Sequence, residues 1–222
     1  MNKVYIRCRF TLVELLIVVG IIAVLAGLVL PAVIGGIQQG RITQAKSDLA
    51  AIMMALKGVE GTYGKMVRKE SNEDKYKFCG YEAKKNNDVI TLGNADSKDA
   101  YYAFIAELSV SGKDSDTGLS SRNINVRKIK FLEPKASYDP TQTYTNNKQH
   151  LWPDPWGNPY VILINAKGED SIAIGSKTIA AKAAGYSIGP NGTDDGGCHV
   201  DLNTCISSGD HKLHDDIATW NN

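Results

Sequence analysis

The sequence predicts an α+β protein: one long N-terminal helix, membrane-crossing in its first half, packed against a small antiparallel sheet in a globular head. Three observations predict it. An uncharged apolar run stands near the start of the chain. An apolar stripe at helical spacing follows it directly. Short β-branched runs bounded by Gly and Pro lie in the last third.

The apolar run extends from Leu15 to Ile37, 23 residues without a charge. At about 1.5 Å of rise per residue it spans a hydrocarbon core of roughly 30 Å. It exceeds the h-region of an ordinary secretory signal, and no small-residue cleavage site follows it, so it is expected to be retained. Lys3, Arg7 and Arg9 precede it, and the next charge is Arg41. The positive-inside rule then sets residues 1–9 in the cytoplasm and the head across the membrane. Glu14 is the one carboxylate at its front edge. An ionised carboxylate in lipid costs several kcal/mol in order of magnitude, so Glu14 is expected to meet a cation.

Beyond Gly40, Ile42, Ala45, Leu49, Ile52, Met53 and Leu56 recur at spacings of three and four, with Arg41, Gln44, Lys46 and Asp48 on the other face. This predicts an amphipathic continuation of the helix to about Lys57, ended by Gly58, Gly61 and Gly64. Pro31 removes one backbone bond and favours a kink. Residues 65–97 are polar and read as irregular, with short strands at most. Ser97 to Leu108 reads as a helix, capped by Ser97, with Tyr101, Phe104, Ile105 and Leu108 on one face. Residues 111–121 read as loop, Val126 to Leu132 as a strand and 138–150 as coil. Pro153, Pro155, Gly157 and Pro159 then impose an ordered turn. Tyr160–Ile164, Ser171–Ile174 and Tyr186–Ile188 are the expected strands.

Net charge is +1 on 222 residues, which gives no bulk electrostatic case for nucleic acid. No HExxH, GxSxG or P-loop is present, and no enzyme is expected. Cys198 and Cys205 lie seven apart in a polar, Gly-rich stretch and are the candidate disulfide pair in an oxidising compartment, with Cys79 left over. Cys198, His199, Cys205, His211 and His214 match no strong zinc spacing.

Phe10-Thr11-Leu12-Val13-Glu14-Leu15-Leu16, with the basic leader before it and Pro31 after it, resembles the class III leader and helix of type IV pilins and of type II secretion pseudopilins. The resemblance implies cleavage between Arg9 and Phe10 by a prepilin peptidase, methylation of the new amine, and packing of the helices into a filament core. There the Phe10 amine of a neighbouring subunit meets Glu14. The chain departs from the family at Arg9, where Gly usually stands. Asp154-Pro155-Trp156-Gly157-Asn158-Pro159-Tyr160, Tyr186-Ser187-Ile188-Gly189-Pro190-Asn191-Gly192 and Asp215-Asp216-Ile217-Ala218-Thr219-Trp220 are similar to the C-terminal half of the G-type, major pseudopilin.

That similarity implies a calcium site in the C-terminal loop, with side chains of Asn191, Asp215 and Asp216 and backbone carbonyls near Ile188 and Thr193. Calcium takes about six to eight oxygen ligands, and six Asp residues lie between Asp194 and Asp216. Asn191 replaces the family's usual Asp. The implied partners are further copies of the chain, minor pseudopilins, an inner-membrane assembly platform and the peptidase. The implied place is the inner membrane, with the head periplasmic. The expected organisation is a leader over 1–9, a membrane helix over 10–37, its amphipathic continuation over 38–58, a variable insertion over 59–151 that decorates the subunit, and the C-terminal sheet and loop over 152–222. The alternatives are a type IV pilin for adhesion, motility or DNA uptake, and a membrane-anchored binding module.

Overall fold

The computed structural model describes residues 11–68, 76–78, 81–86, 88–94, 96–110, 124–133, 135–136, 151–174, 177–192 and 216–219. The expected leader and Cys79 lie outside them. The chain falls into two compact units, Met1–Arg41 and Ile42–Asn222.

The long helix, α1, spans Leu12–Tyr63 and is continuous through Pro31. The Thr11 N–H and hydroxyl both donate to the Glu14 carboxylate at 2.8 Å. The Thr11 hydroxyl oxygen accepts from the Glu14 N–H at 3.3 Å. This reciprocal box satisfies donors that a helix start leaves without intrahelical partners. The helix outlasts the expected stop at Lys57. It passes Gly58 and Gly61 and ends at Gly64, whose φ of +74° and N–H to the Glu60 carbonyl at 2.7 Å form a left-handed cap. Gly58 serves close approach instead: a Cβ there would meet the Phe131 ring at 3.0 Å.

In the first unit, residues 12–29 of α1 are all exposed. The span is long and apolar enough to cross a membrane or to serve as a signal anchor.

In the second unit the expected stripe is the core: Ala45, Leu49, Ile52, Ala55, Leu56 and Val59 are buried. Each such Leu or Ile contributes about 1.5–3 kcal/mol of burial. The stripe packs with a six-stranded antiparallel sheet ordered β1-β2-β3-β4-β7-β8. Its strands are β1 Tyr76–Phe78, β2 Tyr81–Asn86, β3 Val89–Leu92, β4 Val161–Asn165, β7 Ala183–Ser187 and β8 Ile217–Ala218. A hairpin of β5 Ile172–Ile174 and β6 Lys177–Ile179 stands between β4 and β7 in the chain. At Gly185 of β7 an added Cβ would meet Leu49 and Ile162 side chains at 3.1 and 2.9 Å, so β7 lies directly against α1.

The stretch 59–151 differs from the expected decoration. It supplies β1, β2 and β3, and β3 pairs with β4 from Val89↔Asn165 to Leu92↔Ile162. At that junction Gly93 has φ +89°, and a Cβ would fall 2.0 Å from the Tyr160 carbonyl oxygen, so only glycine fits. The same stretch supplies α2, Lys98–Ser109, buried from Ala100 through Ser109. A helix buried on all sides is a core element rather than a surface one. Phe104 meets Phe78 of β1 edge-on at 5.5 Å. Ser97 makes no side-chain cap; its hydroxyl turns back to the Asn94 side chain, while its carbonyl accepts from Tyr101 N–H. Val126–Leu132 is not a strand but a turn-rich segment, because Asn125 takes the local backbone bonds and Lys128 sits at φ +54°.

Candidate functional site: the turn at 152–160 and the end of the sheet

The expected site residues lie at two places, the start of α1 and the end of β7 and β8. At the first, Glu14 is exposed and already held by Thr11. The Thr-x-x-Glu spacing of a capping box was the sequence signal for that contact.

The second place is built on the Pro-rich turn. The buried Asp154 carboxylate organises it. One oxygen accepts the N–H groups of Trp156 at 3.0 Å and Asn158 at 2.7 Å. The other accepts the Ser187 hydroxyl at 2.7 Å. The Ser187 oxygen in turn accepts the Gly189 N–H at 3.1 Å. The Asp154 N–H donates to the Asn158 carbonyl at 2.7 Å. A short polar side chain can bond its own turn in this way where regular structure cannot form. The result ties 154–158 to 187–189, in two of the three C-terminal motifs singled out in the sequence. Burial pushes the Asp154 carboxyl above the usual carboxylate range, against hydrogen bonds from Ser187, Asn158 and Trp156 that lower it.

From Ser187 the chain enters the segment with Ile188 and Asn191, and the Gly192 N–H closes a turn on the Gly189 carbonyl at 3.4 Å. β8 pairs through Tyr186↔Ala218 and Ser187↔Ile217. Continued by one residue, that register sets Asp216 opposite Ile188. Ile188 and Asp216 are buried, and Asn191 is exposed. Three of the five expected calcium residues thus stand on adjacent segments at one end of the sheet. Asp215 and Thr193 lie outside the described residues, as do Arg9, Phe10, Cys198 and Cys205. Among the described residues no three His, Cys, Asp or Glu side chains form a metal cluster. The donors that are described, a buried carboxylate, an amide and backbone carbonyls, are oxygen atoms suited to a hard cation.

A third polar centre was not anticipated. Asp48, assigned to the polar face of α1, turns inward. It accepts Lys135 Nζ at 2.7 Å and the Tyr160 hydroxyl at 2.8 Å. Lys135 also reaches the Pro153 carbonyl at 2.6 Å and stands 5.5 Å from the Trp152 ring centroid. The Tyr101 hydroxyl donates to the Trp152 carbonyl at 2.8 Å. Burial first, then the Asp48 charge, holds the Tyr160 phenol well above its usual value. This centre fastens α1 to the turn that positions Asp154. Its signal was spacing: Asp48 lies three after Ala45 and four before Ile52, on the flank of the buried stripe.

Comparison with known families, curated proteins and solved structures returns no match for this chain.

Proposed function

We propose that the chain is a pilin-like filament subunit of the pseudopilus type, which assembles through its N-terminal helix in protein secretion. One observation carries the reading. A single helix has a uniformly exposed apolar part over 12–29 and a part whose one stripe is buried under a sheet. An apolar helix with no cover of its own needs lipid or other helices around it.

In this reading Glu14 exchanges its bonds to Thr11 for the Phe10 amine of a neighbouring subunit during recruitment. Both donors are charge-compatible, and the amine adds an ionic attraction that a neutral hydroxyl lacks. Subunits join other copies, minor pseudopilins and an inner-membrane platform after processing between Arg9 and Phe10. Calcium, when bound, would neutralise the acidic C-terminal segment through Asp215, Asp216, Asn191 and carbonyls near Ile188 and Thr193. The Asp154–Ser187 link holds the 188–192 side of that site in place.

The test is cross-linking of membranes from cells that make the full chain, comparing wild type with Glu14→Leu. The expected result is a ladder of multimers in wild type, and membrane-inserted monomer alone in the variant. An equal ladder in both would overturn the role of Glu14, and the absence of a ladder in wild type would overturn the filament reading.

A further inference from the structure

The segment 124–132 has neither helix nor strand, yet buried polar groups pin it. The fully buried Glu107 carboxylate of α2 accepts the N–H groups of Ile124 at 2.8 Å and Asn125 at 3.3 Å. The Asn125 amide, also fully buried, donates to the carbonyls of Glu107 at 2.7 Å and Ile129 at 2.6 Å. Its oxygen accepts the Ile129 N–H and the Tyr63 hydroxyl, each at 3.0 Å. The N–H groups of Phe131 and Leu132 both reach the Leu108 carbonyl. Holding a loop this firmly removes the ordering cost that a partner would otherwise meet on binding.

What the pinned loop presents is apolar and cationic. Val126 is 58% exposed and Ile129 37%. Arg127 reaches over the Tyr63 ring, 5.8 Å from its centroid, and its N–H donates to the Tyr63 hydroxyl. Between this loop and the end of α1 lies a cleft of about 280 Å³, walled by Ile124 and Val126 on one side and by Tyr63, Lys65, Val67 and Arg68 on the other. Lys65 and Arg68 of its wall are exposed, as is Arg127 over the Tyr63 ring that lines it.

We propose that this cleft is a docking site for an acidic, apolar-tipped polypeptide segment of a partner protein. The volume admits one or two aliphatic side chains, just under the usual range for a small-molecule pocket. The carboxylates of such a segment face Lys65 and Arg127 across the apolar walls, and that complementarity sets the class of partner. Tyr63 is no platform for a nucleic-acid base: Arg127 covers its face and Phe131 meets it edge to face at 6.4 Å. The site stands on the head and does not depend on whether subunits polymerise.

The test uses the purified full chain in detergent micelles and a fluorescein-labelled peptide, Asp-Glu-Leu-Leu-Asp-Glu, read by anisotropy. Saturable binding is expected, weakened about tenfold by either Val126→Asp or Arg127→Glu. Lys98→Glu, an exposed change at the start of α2, should bind as wild type does. The peptides Asn-Gln-Leu-Leu-Asn-Gln and Asp-Glu-Gly-Gly-Asp-Glu should each bind more weakly than the parent. Both cleft variants alter exposed side chains, and a thermal melt checks that the fold is kept. On wild type alone, affinity should fall several-fold from about 0.1 M to about 0.5 M salt. Absence of saturable binding, equal binding by the cleft variants, or insensitivity to salt would each overturn the proposal. Tighter, Arg127-dependent binding of oligothymidylate would overturn it in favour of a nucleic acid.

Discussion

Residues 12–29 of α1 are all exposed, whereas Ala45, Leu49, Ile52 and Leu56, farther along the same helix, are at or below 1% exposure. Both parts contain Leu, Ile and Ala, but the first carries no charge from Leu15 to Ile37, whereas the second interleaves them with Lys46, Asp48, Lys57 and Glu60. Distribution separates them as well. The first part is apolar on every face and finds no cover within its own unit. The second gathers most of its apolar groups in one stripe, leaving Met54 outside it, and a sheet covers that stripe. The first part is built for an environment that its own unit does not provide, and the second for one that its unit does.

The largest expected effect separates the two parts. Leu49→Ala or Leu56→Ala should cost the head about 2–5 kcal/mol, read by denaturant unfolding of the full chain in detergent. Leu25→Ala, 55% exposed, should leave the head's transition where it was. Equal losses would dissolve the comparison.

A smaller effect tests how α1 is fastened. Asp48→Ala removes the acceptor of both Lys135 and Tyr160, and should cost about 1–3 kcal/mol of thermal stability. Lys46→Ala, two residues away and exposed, should cost far less. A neutral Asp48→Ala would mean that the stripe alone docks the helix.

The smallest effect is a pH dependence at the turn. The folded Asp154 carboxyl is raised above its unfolded value by burial, so the folded state binds its proton more tightly. Its contribution is therefore greatest below the unfolded carboxylate pKa of about 4, and it declines as pH rises from there toward the folded value. The Tm of wild type relative to Asp154→Asn should accordingly be highest near pH 4 and lower near pH 7. The opposite slope would show that the hydrogen bonds from Ser187, Asn158 and Trp156 outweigh desolvation.

Local periodicity in the sequence determined the apolar run, the stripe from Ile42 to Leu56, the helix near 97–108 and the strand after Tyr160. Each is a pattern over four to twenty residues, and helical spacing or a β-branched run expresses it without reference to the rest of the chain. Only the tertiary structure decided three other features. β2, with Lys84, Lys85 and Asn86, carries little strand signal and is held by its register against β3. Val126 to Leu132 alternates like a strand but gives its backbone bonds to Asn125 and Leu108. Asp48 looks like a surface residue until Lys135 and Tyr160, 87 and 112 positions away, arrive to pair with it. The physical reason is common to all three. A backbone or carboxylate group takes whichever partner satisfies it at the lowest desolvation cost, and those partners, near in sequence for β2 and Asn125 and far for Asp48 and Leu108, are not encoded in a local hydrophobic period.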